Sequence, residues 1–143
     1  MQSPGVGGDV ALSPPGRPAG PFPRNAAAGR RACRLAREIA SAFFAIPVTD
    51  IARPSRAVAP VCEARHVAMY LAHVVFQVSL SGIAEAFGRD RTSVAHAVRR
   101  IEDRRDDAAF DTMLTRLETL AHAVKTALEP APDEAADGGG AVR

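Results

Sequence analysis

Apolar residues recur at helical spacing through the middle of the chain, and the two ends lack this pattern. The segments 30–46, 62–77, 79–87, 92–104 and 107–128 each carry apolar side chains three and four positions apart. That spacing is typical of helices with one buried face. No segment shows the alternation of apolar and polar residues that marks a half-buried strand. The pattern therefore predicts an all-α domain, a compact bundle of about five helices.

The apolar spacing also selects the face of each helix that packs into the core. The predicted core positions are, in chain order, Leu35, Ile39, Ala42, Phe43, Ile46, Val67, Tyr70, Leu71, Val74, Val75, Leu80, Ile83, Ala84, Phe87, Val94, Ala97, Val98, Ile101, Phe110, Leu114, Leu117, Ala121, Val124 and Leu128. Pro47 is expected to end the first helix, because a proline cannot continue one.

The two ends of the chain have the composition of tails. Prolines and glycines crowd residues 4–23, and residues 129–143 are acidic and rich in small side chains. Such segments have too few large apolar groups to offset the entropy lost on ordering. We therefore predict disordered tails at 1–29 and 129–143 around one domain at 30–128.

Composition excludes several classes of protein. No apolar run approaches the roughly 20 residues that a membrane span needs, and the first residues lack the basic start and apolar stretch of a secretory signal. No GxxxxGK[ST] motif is present, and the one lysine, Lys125, follows no glycine-rich loop. We expect a cytoplasmic protein with no membrane contact, no nucleotide and no cofactor.

The sequence also predicts neither a metal site nor a catalytic site. Cys62 and His66 lie four positions apart, but the paired CxxC or HxxxH patterns are missing, and a structural zinc needs about four ligands. Cys33 and Cys62 are too few for a disulfide framework. No GxSxG nucleophile elbow is present. The chain is therefore predicted not to be an enzyme.

The most informative region is a predicted helix-turn-helix. Its first helix would be 79–87, its turn 88–91 and its second helix 92–104. Gly88 suits the left-handed residue that ends a helix, and the Asp90 carboxylate can cap the amides of the next one. Val94, Val98 and Ile101 must face the core. The side chains sent outward are then Arg91, Thr92, Ala95, His96 and Arg99.

The leading end of this second helix carries the chemistry that reads bases. Arginine can donate two hydrogen bonds to guanine, aspartate can accept one from cytosine, and the threonine methyl can touch that of thymine. The residues that supply these groups are Arg89, Asp90, Arg91, Thr92 and Ser93. Between residues 53 and 105, nine arginines face five acids, a local charge of +4 in a chain of net charge +2. An ordinary solvated face explains Arg99, Arg100, Arg104 and Arg105 equally well.

The stretch from Ala68 to Glu102 resembles the C-terminal DNA-binding domain of DnaA, the bacterial chromosomal replication initiator. That family carries an AMYL segment followed by SLxxIGxxFGGRDHTTVxHAxRKI. The matching residues are Ala68-Met69-Tyr70-Leu71, Ser79-Leu80, Ile83, Phe87-Gly88, Arg89-Asp90, Thr92-Ser93-Val94, His96-Ala97 and Arg99-Arg100-Ile101. A weaker likeness extends from about 31 to 124. The nearly fixed spacing makes the resemblance far more specific than a generic helix-turn-helix.

The resemblance implies a role for each matched residue. The run from Arg89 to Ser93 would read the major groove of an asymmetric box in origin DNA. Arg56, in the segment RPSR, corresponds to the arginine that enters the adjacent minor groove, where narrow A/T tracts concentrate negative potential. The residues expected to hold the DNA backbone are Arg65, His96, Arg99 and Arg100.

Four departures from the family pattern change these expectations. One glycine of the family's pair is missing, Arg91 replaces a histidine, and Ser93 replaces a threonine. Residues 62–66, CEARH, replace a more basic ARPRQ. We therefore expect a stronger preference for guanine and weaker minor-groove anchoring. The family's ATPase and loader-interacting domains are not found in these residues, so the chain is not expected to open an origin by itself.

These observations predict a sequence-specific protein that binds double-stranded DNA and associates with the nucleoid. It would act by occupying initiator boxes or promoters, with proteins of the replication or transcription machinery as further partners. The alternative is a protein-interaction module whose helix-turn-helix scaffold has lost DNA binding. Glu63 and the acidic residues of 102–107 favour this alternative, because they dilute the basic face.

Overall fold

The computed structural model describes residues 26–53 and 58–129, and the regular elements within those ranges are all helices. They are α1 (Ala26–Phe44), α2 (Val48–Ala52), α3 (Ala59–Val74), α4 (Leu80–Phe87), α5 (Arg91–Arg104) and α6 (Ala108–Leu128). The predicted all-α fold is confirmed.

Helix α3 lies at the centre and packs against α1, α2, α4 and α5. Between Ala64 and Ala72, every residue except His66 is buried. A helix that is covered on several sides needs apolar or small residues around most of its circumference, which this segment supplies. The AMYL sequence that carries the family resemblance is therefore part of the core.

The boundaries differ from the predicted ones at three helices. Helix α3 covers Ala59–Val74 rather than the predicted 62–77. Helix α1 begins at Ala26, so residues 26–29, assigned to the N-terminal tail, belong to the helix. The short helix α2 was not predicted, because five residues are too few to display a helical period. Ile51 of α2 is fully buried, which ties this helix to the core. The remaining tail predictions, for 1–25 and 130–143, lie outside the described residues.

Helix α1 packs through a different face from the one predicted. Its buried residues are Ala32, Cys33, Ala36, Ile39 and Ala40. Ala42 is exposed and Phe43 is 40% exposed, although both were predicted in the core. Small side chains let the backbones of two packed helices approach closely, which explains why alanines rather than phenylalanine meet α3. Phe43 instead packs edge to face on Phe44, with ring centroids 5.2 Å apart.

The other helices largely keep the predicted faces. In α6, Phe110, Leu114, Leu117 and Ala121 are buried as expected, whereas Leu128 is 59% exposed at the C-terminal end. Val74, at the end of α3, is also more exposed than predicted. Both errors fall in the last turn of a helix, where a regular pattern continues beyond the neighbouring core.

Arg105, directly after α5, connects three helices through its guanidinium group. Its Nη1 donates to the Tyr70 hydroxyl of α3 at 2.8 Å and to Glu118 Oε2 of α6 at 2.7 Å, while its Nε pairs with Asp111 Oδ1 at 2.5 Å. The Tyr70 hydroxyl donates to Glu118 Oε2 at 2.9 Å. This network fixes the C-terminal end of α5 against α3 and α6.

Candidate nucleic-acid interface

The turn between α4 and α5 has the geometry of a helix-turn-helix. Ser79 caps α4 by accepting a hydrogen bond from the Gly82 amide at 3.0 Å. Gly88 ends α4 in the left-handed conformation, with φ 67° and ψ 36°, as the sequence predicted. The Arg89 amide then donates back to the Ala84 carbonyl at 2.9 Å. One glycine therefore suffices for the turn, although the related family has two.

Asp90 begins α5 as its N-cap, again as predicted. Its Oδ1 accepts a hydrogen bond from the Ser93 amide at 2.7 Å. Hydrogen bonds from Ser93 hold the pKa of this exposed carboxyl below its usual range, and the Arg89 guanidinium adds a smaller effect in the same direction. Asp90 therefore stays ionised at the leading end of α5 and orders its first turn.

The core-facing side of α5 fixes which of its residues face outward. The buried residues of α5 are Val94, Ala97, Val98 and Ile101, the four core positions that the spacing predicted. The exposed residues on this helix and its cap, among those predicted to contact DNA, are Asp90, Arg91, Thr92, Ser93, His96, Arg99 and Arg100. Arg89, in the turn, is half-buried. We call the run from Arg89 to Ser93 the reading edge.

The basic residues of α5 fall into two groups. Arg91, Arg99 and Arg100 form no ion pair with another described residue. Arg104 instead pairs with Glu63 Oε2 of α3 at 2.9 Å, and its guanidinium lies 3.8 Å from the centre of the Phe110 ring. Arg105 belongs to the network with Tyr70 and Glu118. Among the described residues, the α5 arginines without an ion-pair partner therefore lie in the first two-thirds of the helix.

The structure corrects the predicted role of Arg65. This side chain is 2% exposed and lies beneath α2. Its Nε donates to the Ile51 carbonyl and its Nη2 to the Asp50 carbonyl, both at 3.0 Å. Burial lowers the pKa of Arg65, and the nearby Arg89 guanidinium lowers it further. A guanidinium enclosed in this way satisfies carbonyls at the end of α2 and has no surface to offer to a DNA phosphate.

From the sequence, His66 was considered only as a metal ligand. In the structure it lies beside Arg100 of α5. It is half-buried in a groove of about 240 Å³ between α3 and α5, which also exposes Glu63, Arg100 and Arg104. Burial lowers its pKa, followed by the guanidinium groups of Arg100, Arg65 and Arg89. The groove brings together residues far apart in the sequence, so spacing along one helix could not reveal it.

The remaining predictions concern a minor-groove arginine, metal ions and membrane spans. Arg56, assigned to the minor groove, lies outside the described residues, so its role stays a prediction. Within the described parts of the chain, no cluster of three or more His, Cys, Asp or Glu side chains is arranged to hold a metal ion. No helix in the same ranges combines the length and hydrophobicity of a membrane span.

Comparison with protein families gives a match to this region. Residues 34–101 match the model described as bacterial DnaA protein helix-turn-helix. The matched segment contains the C-terminal part of α1, all of α2, α3 and α4, and most of α5, and it ends at Ile101.

Curated relatives agree with this match. The chromosomal replication initiator proteins DnaA of Paraburkholderia xenovorans and Ralstonia nicotianae are each 45% identical over 78 residues. Those residues are 53% of this chain, but only 14% and 15% of the two relatives. The chain therefore corresponds to a small part of the length of these proteins.

Solved structures extend the similarity to three dimensions. A crystal structure of a DNA replication initiation factor matches with a TM-score of 0.62 and 33% identity, covering 68% of this chain and 30% of that one. A replication initiator DnaA bound to AMPPCP and single-stranded DNA matches with a TM-score of 0.59 and 34% identity, covering 66% and 29%.

Proposed function

Since residues 34–101 form a helix-turn-helix domain of the bacterial DnaA family, we propose that this chain binds double-stranded DNA and reads its sequence through the major groove. The observation that carries the proposal is the reading edge itself. It combines exposed donors, an acceptor and a methyl group at the leading end of α5, beside arginines that have no ion-pair partner among the described residues. These are the groups that distinguish base pairs in the major groove.

Each side chain of the reading edge has a distinct task. Arg91 is exposed, so its two outer nitrogens can donate to O6 and N7 of one guanine. Thr92 presents a methyl group and a hydroxyl, and Ser93 presents a hydroxyl. Asp90 caps the helix through one carboxylate oxygen and accepts from a cytosine amino group. Arg89 enters the groove from the turn.

The backbone contacts come from the exposed flank of α5. Three residues follow the reading edge on the outer side of the helix and meet phosphates on either side of the DNA major groove: His96, Arg99 and Arg100. Arg56, which lies between α2 and α3 in the sequence, is the residue that we propose for the minor groove. Because phosphate contacts release counterions, the affinity falls as salt rises.

The chain acts by occupancy of its sites. It holds initiator boxes or promoters and thereby regulates replication or transcription. Arg91 stands where the family has a histidine. It shifts the sequence preference of the chain toward guanine at the base pair that this position contacts.

A binding experiment on selected duplexes tests the proposal. Duplexes are first enriched from a random pool by the protein, and every base pair of the best site is then varied in turn. Arg91→Ala should weaken binding to the best site by about 1–3 kcal/mol and abolish discrimination at one guanine. Arg116→Ala provides the matched control, because Arg116 is exposed on α6, away from the reading edge.

A uniform loss of affinity on every sequence would contradict the base-reading role of Arg91. The second candidate, a protein-interaction module, is favoured by the Glu63–Arg104 ion pair and by the exposed Glu102 and Asp103. Binding to duplex DNA at low salt separates the two functions. The module would leave DNA unbound, whereas the proposed protein binds with a steep salt dependence.

A further inference from the structure

The groove between α3 and α5 opens beside Arg100 and Arg104, on the flank of α5 that also carries Ser93 of the reading edge. Ser93 and Arg100 are seven residues apart and therefore occupy the same side of the helix, two turns from one another. A DNA strand that passes Ser93 along this flank continues over Arg100 and the mouth of the groove. We propose that the groove holds a phosphodiester group of the DNA backbone between the His66 imidazole and the Arg100 guanidinium. This proposal rests on the proposed DNA-binding function.

The charges around the groove favour an anion. Its one carboxylate, Glu63, is already paired with Arg104 at 2.9 Å. Arg100 has no ion pair with a described residue, and the guanidinium groups of Arg65 and Arg89 lie close enough to act on His66. With Glu63 and Arg104 offsetting each other, the positive potential at His66 comes from Arg100, followed by Arg65 and Arg89.

The groove has the size and the donors for a phosphate. Its volume of about 240 Å³ is several times the share of about 30 Å³ that one water occupies in the liquid. Arg100 supplies a planar donor pair that matches two phosphate oxygens. His66 supplies one ring N–H when neutral and two when protonated. His66 is half-buried and lines the groove.

The arrangement couples DNA binding to a proton. In the empty groove, burial and three guanidinium groups lower the pKa of His66 below its usual value, so the ring is neutral near pH 7. A phosphate in the groove opposes this effect and raises the pKa of the ring. The protein then takes up a proton when it binds DNA. Its affinity for DNA rises as the pH falls from the pKa of His66 in the complex toward the lower pKa of His66 in the free protein. Above both values the ring contributes only a neutral hydrogen bond.

The groups that face His66 from all sides must be considered in the test. They are Cys62, Glu63 and Arg65 on α3, Arg89 in the turn, and Arg100 and Arg104 on α5. A series between pH 5.5 and 7.5 stays below the value of about 8.5 at which an ordinary thiol ionises. His96 is a second imidazole, on the exposed side of α5, so it needs its own variant.

The experiment measures the affinity of the enriched duplex over this pH range for the wild type, His66→Gln and His96→Gln. Glutamine keeps a hydrogen-bond donor but cannot take up a proton. The wild type should bind several-fold more tightly at pH 5.5 than at 7.5. The corresponding increase in the affinity of His66→Gln should be smaller. At pH 5.5 its salt slope should also be smaller than the wild-type slope by about 0.9, the value for one lost phosphate contact. At pH 7.5 the two slopes should agree.

A second readout is the titration of the His66 C2 proton by NMR, in the free protein, with duplex and with inorganic phosphate alone. The proposal requires the duplex to raise the pKa of His66. A duplex that leaves this pKa unchanged, or a rise produced by inorganic phosphate and not by DNA, would overturn it. An unaltered pH dependence in His66→Gln would also overturn it. If the wild type binds no duplex at any pH, the proposed function fails instead, and the two failures are thus distinguishable.

Discussion

The buried position of Arg65 gives a prediction that separates a structural arginine from a DNA contact. Arg65→Gln shortens the side chain and removes its charge. The residue is 2% exposed and makes two hydrogen bonds of 3.0 Å to the Ile51 and Asp50 carbonyls. Arg100, which is exposed and has no ion pair with a described residue, is the matched position for a control, Arg100→Gln.

The expected loss of stability follows from those two bonds. A hydrogen bond from a charged donor contributes about 1.5–3 kcal/mol, so the pair amounts to about 3–6 kcal/mol. Part of this is offset, because the variant no longer buries a charge and because glutamine can satisfy one carbonyl. We therefore expect Arg65→Gln to lower the free energy of unfolding by about 2–4 kcal/mol. Arg100→Gln should change it by no more than about 0.5 kcal/mol, as for most surface substitutions.

Urea denaturation and salt-dependent DNA binding together provide the assay. Under conditions in which both variants are folded, Arg65→Gln should keep the wild-type slope of log affinity against log salt. Arg100→Gln should reduce that slope by about 0.9, because it removes one phosphate contact. The reasoning is refuted if Arg65→Gln retains full stability and lowers the salt slope as Arg100→Gln does. Arg65 would then be a phosphate contact after all.

Two further predictions concern single side chains of the core. Burial, followed by the hydrogen bond to Glu118, raises the pKa of Tyr70. Tyr70 is the one tyrosine of the sequence, so the phenolate absorbance reports on it alone. This absorbance should titrate above the ordinary value of about 10 in the folded protein and near that value in denaturant. Because the folded pKa is the higher one, this contribution to stability is complete below about pH 10 and is lost as pH rises through the folded value; coincident midpoints would contradict it. Burial also raises the pKa of Cys33 to about 11, and this thiol is fully enclosed. A thiol reagent near pH 8 should therefore modify Cys62 in the native protein and reach Cys33 only on unfolding, whereas equal rates for the two would refute this.

The parts of the fold that the sequence predicted correctly are those controlled by local signals. In α5 the bulky residues Val94, Val98 and Ile101 repeat at helical spacing and identify the buried face without ambiguity. Gly88 and Asp90 mark the end of one helix and the start of the next by their own backbone and side-chain chemistry. The exposure of Arg91 and Thr92 at the leading end of α5 was predicted for the same reason.

The errors arise where small residues or short segments carry the information. The buried face of α1 is built largely from alanines and Cys33, whose hydrophobicity differs little from that of their neighbours. The pattern therefore predicted a core position for Phe43 instead. Helix α2 is shorter than two helical turns. In such cases, the packing partner decides which side of the helix is covered.

The interface could be predicted only in part, because two of its features depend on contacts between distant segments. Arg65 donates to carbonyls 14 and 15 positions away, and nothing in its own helix indicates this. The pairing of Arg104 with Glu63 joins residues 41 positions apart. This ion pair neutralises Arg104 and so distinguishes it from Arg99 and Arg100, although the sequence pattern did not separate these three arginines.

The central claim is that the leading end of α5 enters the major groove and touches guanine edges. Methylation of guanine N7 in the enriched duplex tests this claim most directly, since N7 lies in the major groove. The wild-type protein should protect one or more guanines of its site, and Arg91→Ala should restore the methylation of one of them while Arg116→Ala leaves the pattern unchanged. Wild-type protein bound to the duplex with every guanine N7 still reactive would contradict the claim.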